Sequence, residues 1–137
     1  MDYFEKKSDY AYWIEEISPD GKWFVSFEDN GRVAYLYLGK MNGGEKSEIH
    51  DDLWIYNMIY PPIEECKEVF IIWSEDSAKT ALVVDEECWG MYDLKSWRKM
   101  RAPRVDNRIE SIPRENWDLG VTKMDGETYW GFLSSTK

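Results

Sequence analysis

The chain has little of what metal sites, nucleophilic centres and membrane spans are built from. It contains one histidine, His50, and two cysteines, Cys66 and Cys88, without the CxxC spacing of a zinc site. No apolar run is long enough to cross a membrane, and the first residues form no apolar signal core. These absences predict a cytoplasmic protein with reduced cysteines and no bound metal.

Motifs for catalysis are missing as well. Lys40 is followed by Met41 rather than by Ser or Thr opening a helix, so the phosphate-binding P-loop pattern is absent. His50 precedes Asp51 and Asp52, but no further ligand or nucleophile stands at a definable spacing, and we expect His50 in a solvated loop. We therefore expect no enzyme activity, no catalytic residue and no cofactor.

Charge of one sign dominates the chain. The formal net charge is −10: residues 1–90 hold 20 acidic and 8 basic side chains, whereas residues 91–137 hold 7 and 9. A negative surface repels phosphate backbones and anionic lipids and attracts cationic partners, which disfavours nucleic-acid and membrane binding. We expect the basic segment that follows Leu94 to pair with the acidic body of the same chain.

Aromatic residues are abundant, at 16 % of the 137 residues, and alternating apolar positions recur between turn signals. This pattern predicts a single mainly β domain over residues 1–137, an antiparallel sheet or β-sandwich of six to eight strands with little helix. An α+β arrangement, with one short helix near residues 93–100, is the alternative. The predicted strands are residues 10–17, 22–28, 33–38, 53–60, 69–73, 80–84, 88–94 and 128–133.

The connections between these strands carry their own signals. Asn30-Gly31 predicts a type I′ hairpin turn, because that turn needs positive φ at both central residues. Residues 39–49 are polar and glycine-containing, which predicts a flexible loop. Residues 63–68 form an acidic connector with a single helical turn, and the apolar residues 69–73 fit a central strand covered on both faces.

Four short motifs follow one another along the chain: Phe27-Glu28-Asp29-Asn30-Gly31, Tyr35-Leu36-Tyr37, Leu53-Trp54-Ile55-Tyr56-Asn57 and Trp73-Ser74-Glu75-Asp76. Their order and spacing, over about residues 20–105, resemble the bacterial domain-of-unknown-function family 2251. Where that family usually has a short Asn-Gly turn, this chain has Asp85-Glu86-Glu87. The resemblance implies a small bacterial cytoplasmic protein and carries over no catalytic residue.

The acidic, aromatic composition favours a protein-interaction module, most simply a bacterial immunity protein or antitoxin that neutralises a basic toxin. A small-ligand or carbohydrate-binding β module, with exposed Trp or Tyr as stacking platforms, is the alternative. The sequence sets no oligomeric state. The predicted partner-binding residues are acidic residues near turns and two aromatic anchors: Glu28, Asp29, Asp51, Asp52, Glu75, Asp76, Asp85, Glu86 and Glu87, with Trp54 and Trp89.

Overall fold

A computed structural model describes residues 12–59 and 61–102, together with the backbone of three two-residue strands at 104–105, 108–109 and 122–123. Tyr10 and Ala11 of the first predicted strand and the whole of the predicted strand at 128–133 lie outside these residues. The mainly β, antiparallel prediction is confirmed. Apart from strands and turns, the described residues contain one 3₁₀ turn, Ile63–Glu65, inside the predicted acidic connector.

The first sheet is an up-and-down antiparallel meander in the order β1-β2-β3-β4. Its strands are β1 Tyr12–Ile17, β2 Trp23–Asp29, β3 Val33–Asn42 and β4 Glu45–Asn57. The alternation seen in the sequence sets its register, because Val25 and Phe27 lie on the core face of β2 opposite Leu38 and Leu36 of β3.

The second sheet is also antiparallel, in the order β11-β8-β7-β6-β5, and β9 and β10 form a separate pair. Its long strands are β5 Val69–Trp73, β6 Lys79–Val84, β7 Glu87–Asp93 and β8 Arg98–Arg101. The short ones are β9 Arg104–Val105, β10 Arg108–Ile109 and β11 Thr122–Lys123. The prediction that residues 69–73 form a central strand is wrong: β5 is an edge strand, and it is partly covered because β1 of the first sheet lies beside it.

The two sheets pack face to face around one core. Leu36 and Ile55 of the first sheet meet Leu82 and Tyr92 of the second, and the Tyr92 hydroxyl donates a hydrogen bond of 2.5 Å to the Leu36 carbonyl oxygen. A Cβ on Gly90 of β7 would lie 2.8 Å from Ile55 Cδ1, so a larger residue at this position would force the Ile55 side chain of the core to shift.

The sandwich also closes along both sides. β1 lies beside β5 and β4 beside β8, and the indole Nε1 of Trp73 donates to the Glu16 carbonyl oxygen at 3.3 Å. Hairpin turns therefore gather at two opposite ends of the molecule, where any partner contact through loops would be made.

Two connections differ from the sequence prediction. Residues 39–49 form a hairpin arm in which Gly43 and Gly44, with φ of 61° and 86°, make the turn between Asn42 and Glu45. Two adjacent glycines favour a tight hairpin turn, so this polar stretch pairs as strands instead of remaining a loop. The predicted alternative helix at 93–100 is wrong too, because the Asp93 carboxylate accepts hydrogen bonds from the amides of residues 95 and 96 at 3.0 and 3.2 Å and turns the chain into β8.

Candidate functional site

Three loops meet at one end of the sandwich, and we call the surface that they form the acidic end: residues 29–32, 57–68 without residue 60, and 85–87. The Asp85 amide donates to the Glu68 carbonyl oxygen at 2.9 Å, and the Glu68 amide donates to Asp85 Oδ1, also at 2.9 Å. The Met58 amide donates to the Arg32 carbonyl oxygen at 3.0 Å. These hydrogen bonds hold loops from both sheets against one another.

The acidic end differs in charge from the other end of the sandwich. Its described loops carry seven carboxylates and two basic groups: Asp29, Glu64, Glu65, Glu68, Asp85, Glu86 and Glu87 against Arg32 and Lys67. Counted in the same way, with the strand residues that flank them, the described loops at the opposite end carry five carboxylates and four basic groups: Asp20, Glu45, Glu75, Asp76 and Asp93 against Lys22, Lys79, Lys95 and Arg98. The formal charge of these loops is therefore −5 at the acidic end and −1 at the other.

The β6–β7 turn presents two exposed carboxylates in a strained backbone. Asp85 and Glu86 have φ of 48° and 71°, and Val84 pairs with Glu87 across the turn, which is the geometry of a type I′ turn. Residues other than glycine, asparagine and aspartate rarely adopt these angles. The type I′ turn predicted at Asn30-Gly31 is wrong: Gly31 has φ of 93°, but Asn30 has no positive φ, because its side chain accepts the amides of residues 32 and 33.

Glu28 and Asp29 do not project from a hairpin tip as predicted. They are 2 % and 9 % exposed, since they are the last residues of β2 and pair with both neighbouring strands. Glu28 Oε2 accepts the Ser26 hydroxyl at 2.7 Å, and Glu28 Oε1 has no hydrogen-bond partner among the residues that the structure describes. Asp29 accepts the Tyr56 hydroxyl at 2.5 Å and the Gly31 amide at 2.7 Å, so its carboxylate is built into the floor of the acidic end.

The other predicted acidic residues are divided between two regions. Glu75 and Asp76 are exposed at the opposite end, where Asp76 accepts the Ser74 hydroxyl and the amide of residue 78, and these bonds lower the pKa of Asp76. Asp51 and Asp52 lie within β4 rather than at a turn. The sequence-predicted residues thus form no single surface: Asp85, Glu86 and Glu87 lie together at the β6–β7 turn, and Glu75 and Asp76 lie at the β5–β6 turn of the opposite end.

Pairing between the basic segment and the acidic body is confirmed at Lys99. Its ammonium lies 3.1 Å from Asp51 Oδ1 and donates to the Asp52 carbonyl oxygen at 2.9 Å. The Arg101 guanidinium lies over the Trp54 ring, 4.3 Å from its centroid. Trp54, predicted as a partner anchor, is therefore already in contact with a cation of its own chain.

Trp89, the second predicted anchor, is half-buried on β7. Its ring meets Tyr56 edge to face, with centroids 6.1 Å apart and an interplanar angle of 85°. Burial raises the pKa of the Tyr56 phenol far above its ordinary value, and the hydrogen bond to Asp29 adds to the effect, so Tyr56 stays a proton donor at neutral pH. Trp89 thus supports the floor of the acidic end through Tyr56.

A crevice opens in the acidic end between the β2–β3 turn and the segment that follows β4. It has a volume of about 240 Å³ and is lined, among the described residues, by Asp29, Gly31, Met58, Ile59, Pro62 and Glu64. Met58 is 64 % exposed and has φ of 47°, so a strained backbone holds a large apolar side chain in solvent beside two carboxylates. The sequence predicts Met58 and Ile59 at a strand end and Glu64 in a connector, because only the tertiary fold brings them to the turn at Gly31.

Cys66 lies at the same end, and burial raises the pKa of its thiol, with Asp85 and Glu64 adding to the effect. No group of three or more His, Cys, Asp or Glu side chains suited to a metal ion occurs in the described part of the chain. Within that same part, no helix is long and apolar enough to cross a membrane.

Near the opposite end, His50 does not occupy a loop as predicted but lies on β4 in contact with two tryptophans, which also contact each other. The ring centroids of Trp23 and Trp97 are 5.3 and 5.2 Å from that of His50. Trp97 is 43 % exposed and has φ of 55°. This aromatic cluster was not foreseen, since its three rings come from β2, β4 and the β7–β8 turn.

A sequence model of a bacterial protein family, described as an uncharacterized protein conserved in bacteria (DUF2251), matches residues 7–123. The chain belongs to this family. The match confirms the resemblance seen in the motifs, and the DUF2251 description names no activity. No curated protein and no solved structure matches the chain.

Proposed function

We propose that this DUF2251 protein is a non-catalytic inhibitor, an immunity protein or antitoxin, that binds a basic toxin through its acidic end. The observation that carries the proposal is the charge asymmetry of the sandwich, −5 in the loops of one end against −1 in those of the other. Five of the carboxylates at the acidic end are exposed: Glu64, Glu65, Glu68, Asp85 and Glu86.

A concentrated negative end accelerates encounter with a cationic protein. Opposite charges act over a Debye length of about 8 Å at physiological ionic strength, and steering of this kind raises association rates by about 10- to 1,000-fold. Toxins that act on nucleic acids carry basic surfaces for their substrates, so an acidic inhibitor matches the surface that it has to block.

The acidic end is also held in shape before binding. Asp85 and Glu68 exchange two hydrogen bonds, and Asp29 accepts from Tyr56 and from its own turn. Loops that are already ordered lose little conformational freedom when a partner docks. The acidic end therefore has the rigidity that tight inhibition requires.

Co-expression tests the proposal. The chain is expressed with the product of the adjacent gene, and survival of the cells is measured for the wild type and for two triple variants. Glu64→Gln/Glu68→Gln/Glu86→Gln lowers the formal charge of the acidic end from −5 to −2 and leaves the backbone bonds of Glu68 in place. Glu45→Gln/Glu48→Gln/Glu75→Gln makes the same change of net charge at exposed sites of the opposite end.

We expect the wild type and the opposite-end variant to protect the cells and the acidic-end variant to lose protection. Equal loss in both variants would show that total charge matters and the acidic end does not. An adjacent product that is not toxic, or toxicity that the wild type does not relieve, contradicts the inhibitor function.

The cluster of Trp23, His50 and Trp97 favours a second candidate function, binding of a carbohydrate or other small ligand by stacking. Titration with a panel of mono- and disaccharides, followed by tryptophan fluorescence, tests it. Under this function we expect saturable quenching that is insensitive to salt and disappears in Trp97→Ala. Saturable binding without inhibition of a toxin would replace the first proposal by the second.

A further inference from the structure

The crevice between Gly31 and Glu64 has a composition suited to one kind of occupant. Met58, Ile59 and Pro62 supply apolar walls, and the acidic residues Asp29 and Glu64 also line the crevice. Its volume of about 240 Å³ is smaller than the sites that hold drug-sized ligands, which span about 300–1,000 Å³. The crevice is large enough for one amino-acid side chain.

Charge determines which side chain fits. Asp29 is 9 % exposed and accepts the Tyr56 hydroxyl and the Gly31 amide through different oxygens, each of which keeps a further lone pair. Burial holds Tyr56 protonated, so the phenol donates to Asp29 and contributes no negative charge. A carboxylate in this setting attracts a cation and repels an anion.

We propose that the crevice is a socket for a lysine side chain of the basic partner, with the aliphatic stem against Met58, Ile59 and Pro62 and the ammonium between Asp29 and Glu64. Lysine combines a four-carbon apolar stem with a compact charge, which matches apolar walls that carry carboxylates. This proposal adds a specific contact to the inhibitor function. The identity of the occupant, a lysine of the toxin, rests on that function. It assigns the specific contact to the crevice and long-range attraction to the surrounding carboxylates.

The test uses n-butylammonium, a probe with the stem and charge of a lysine side chain, and n-butanol, which has the same stem without the charge. Each is titrated into the full chain at fixed ionic strength while the Gly31 amide and the Met58 methyl group are followed by NMR. We expect saturable shifts of both signals with n-butylammonium, and weaker, non-saturating shifts with n-butanol.

A matched pair of variants locates the cation. Glu64 and Glu65 are adjacent, exposed and in the same 3₁₀ turn, but only Glu64 lines the crevice. We expect Glu64→Gln to weaken n-butylammonium binding about threefold, as loss of one partly screened charge contact does. Glu65→Gln is expected to leave it nearly unchanged.

Two results would overturn the socket. In one, n-butanol saturates the same signals as strongly as n-butylammonium. In the other, both variants weaken binding equally, as for diffuse attraction to the whole surface. Since the titration contains no toxin, protection of cells without n-butylammonium binding rejects the socket alone, and binding without protection rejects the inhibitor function alone.

Discussion

Replacing Glu86 by glycine should make the protein more stable although it removes a side chain that we assign to the binding surface. Glu86 has φ of 71° and Asp85 has φ of 48°, so two residues with side chains occupy left-handed positions in one turn. A left-handed conformation costs an L-residue about 1–2 kcal/mol. Glycine removes that cost. Its greater conformational freedom in the unfolded chain, however, lowers the free energy of unfolding by about 0.5–1 kcal/mol.

The difference predicts that Glu86→Gly raises the free energy of unfolding by about 0.5–1 kcal/mol. For a domain of this size, the corresponding rise in Tm is about 2–4 °C. Urea unfolding followed by tryptophan fluorescence measures the first quantity, and thermal unfolding followed by circular dichroism measures the second. The same variant should protect cells less well than the wild type, because residues at functional surfaces commonly trade stability for activity.

Glu87→Gly is the matched control. Glu87 is the next residue, begins β7 and has no positive φ, so glycine there relieves no left-handed strain, adds unfolded-state freedom and should lower stability by at least about 0.5–1 kcal/mol. If Glu86→Gly lowers stability as Glu87→Gly does, the strained type I′ geometry at Asp85-Glu86 is refuted.

Three further predictions follow from single contacts. Gly90→Ala places a Cβ 2.8 Å from Ile55 Cδ1 and should lower the free energy of unfolding by about 1–3 kcal/mol in urea; an unchanged value would contradict the close approach of the sheets. Tyr56→Phe removes the 2.5 Å hydrogen bond to buried Asp29 and should lower the free energy of unfolding by about 1–3 kcal/mol in the same assay. An unchanged free energy of unfolding would show that this hydrogen bond is absent. Iodoacetamide should alkylate half-buried Cys66 with a pH midpoint above the ordinary thiol pKa of 9.0, because a raised pKa disfavours the reactive thiolate. A midpoint below 9.0 would contradict the burial of Cys66 beside carboxylates.

The strands could be predicted because their alternation is unambiguous. Val25 and Phe27 stand two residues apart in β2 and so lie on the same face of the strand. Turn residues divide the stretch from Val69 to Asp93 into β5, β6 and β7. The β3–β4 arm is not predicted from the sequence, since its residues are mostly polar and show no apolar period. Only Gly43-Gly44 marked it, and two glycines are equally typical of a flexible loop.

The candidate site could be predicted only in part, for a reason of topology. Asp85, Glu86 and Glu87 were recognised as a charged tip because Asp and Glu between strands mark a turn. The sequence predicts Glu64 in a connector and Met58 in a strand. It does not predict that both lie near Gly31, because this proximity depends on how β4 leads into the second sheet. Burial of Asp29 likewise depends on Tyr56, a residue 27 positions away in the chain.

Capture of a basic toxin by the acidic end is tested by the rate at which the chain associates with the toxin. This rate is measured by stopped flow at several salt concentrations. We expect the rate of the wild type and of Glu45→Gln/Glu48→Gln/Glu75→Gln to fall steeply and in parallel as salt rises. The rate of Glu64→Gln/Glu68→Gln/Glu86→Gln should be lower at low salt and should fall less steeply as salt rises. Identical salt dependence in both variants would contradict an acidic end that captures a basic partner.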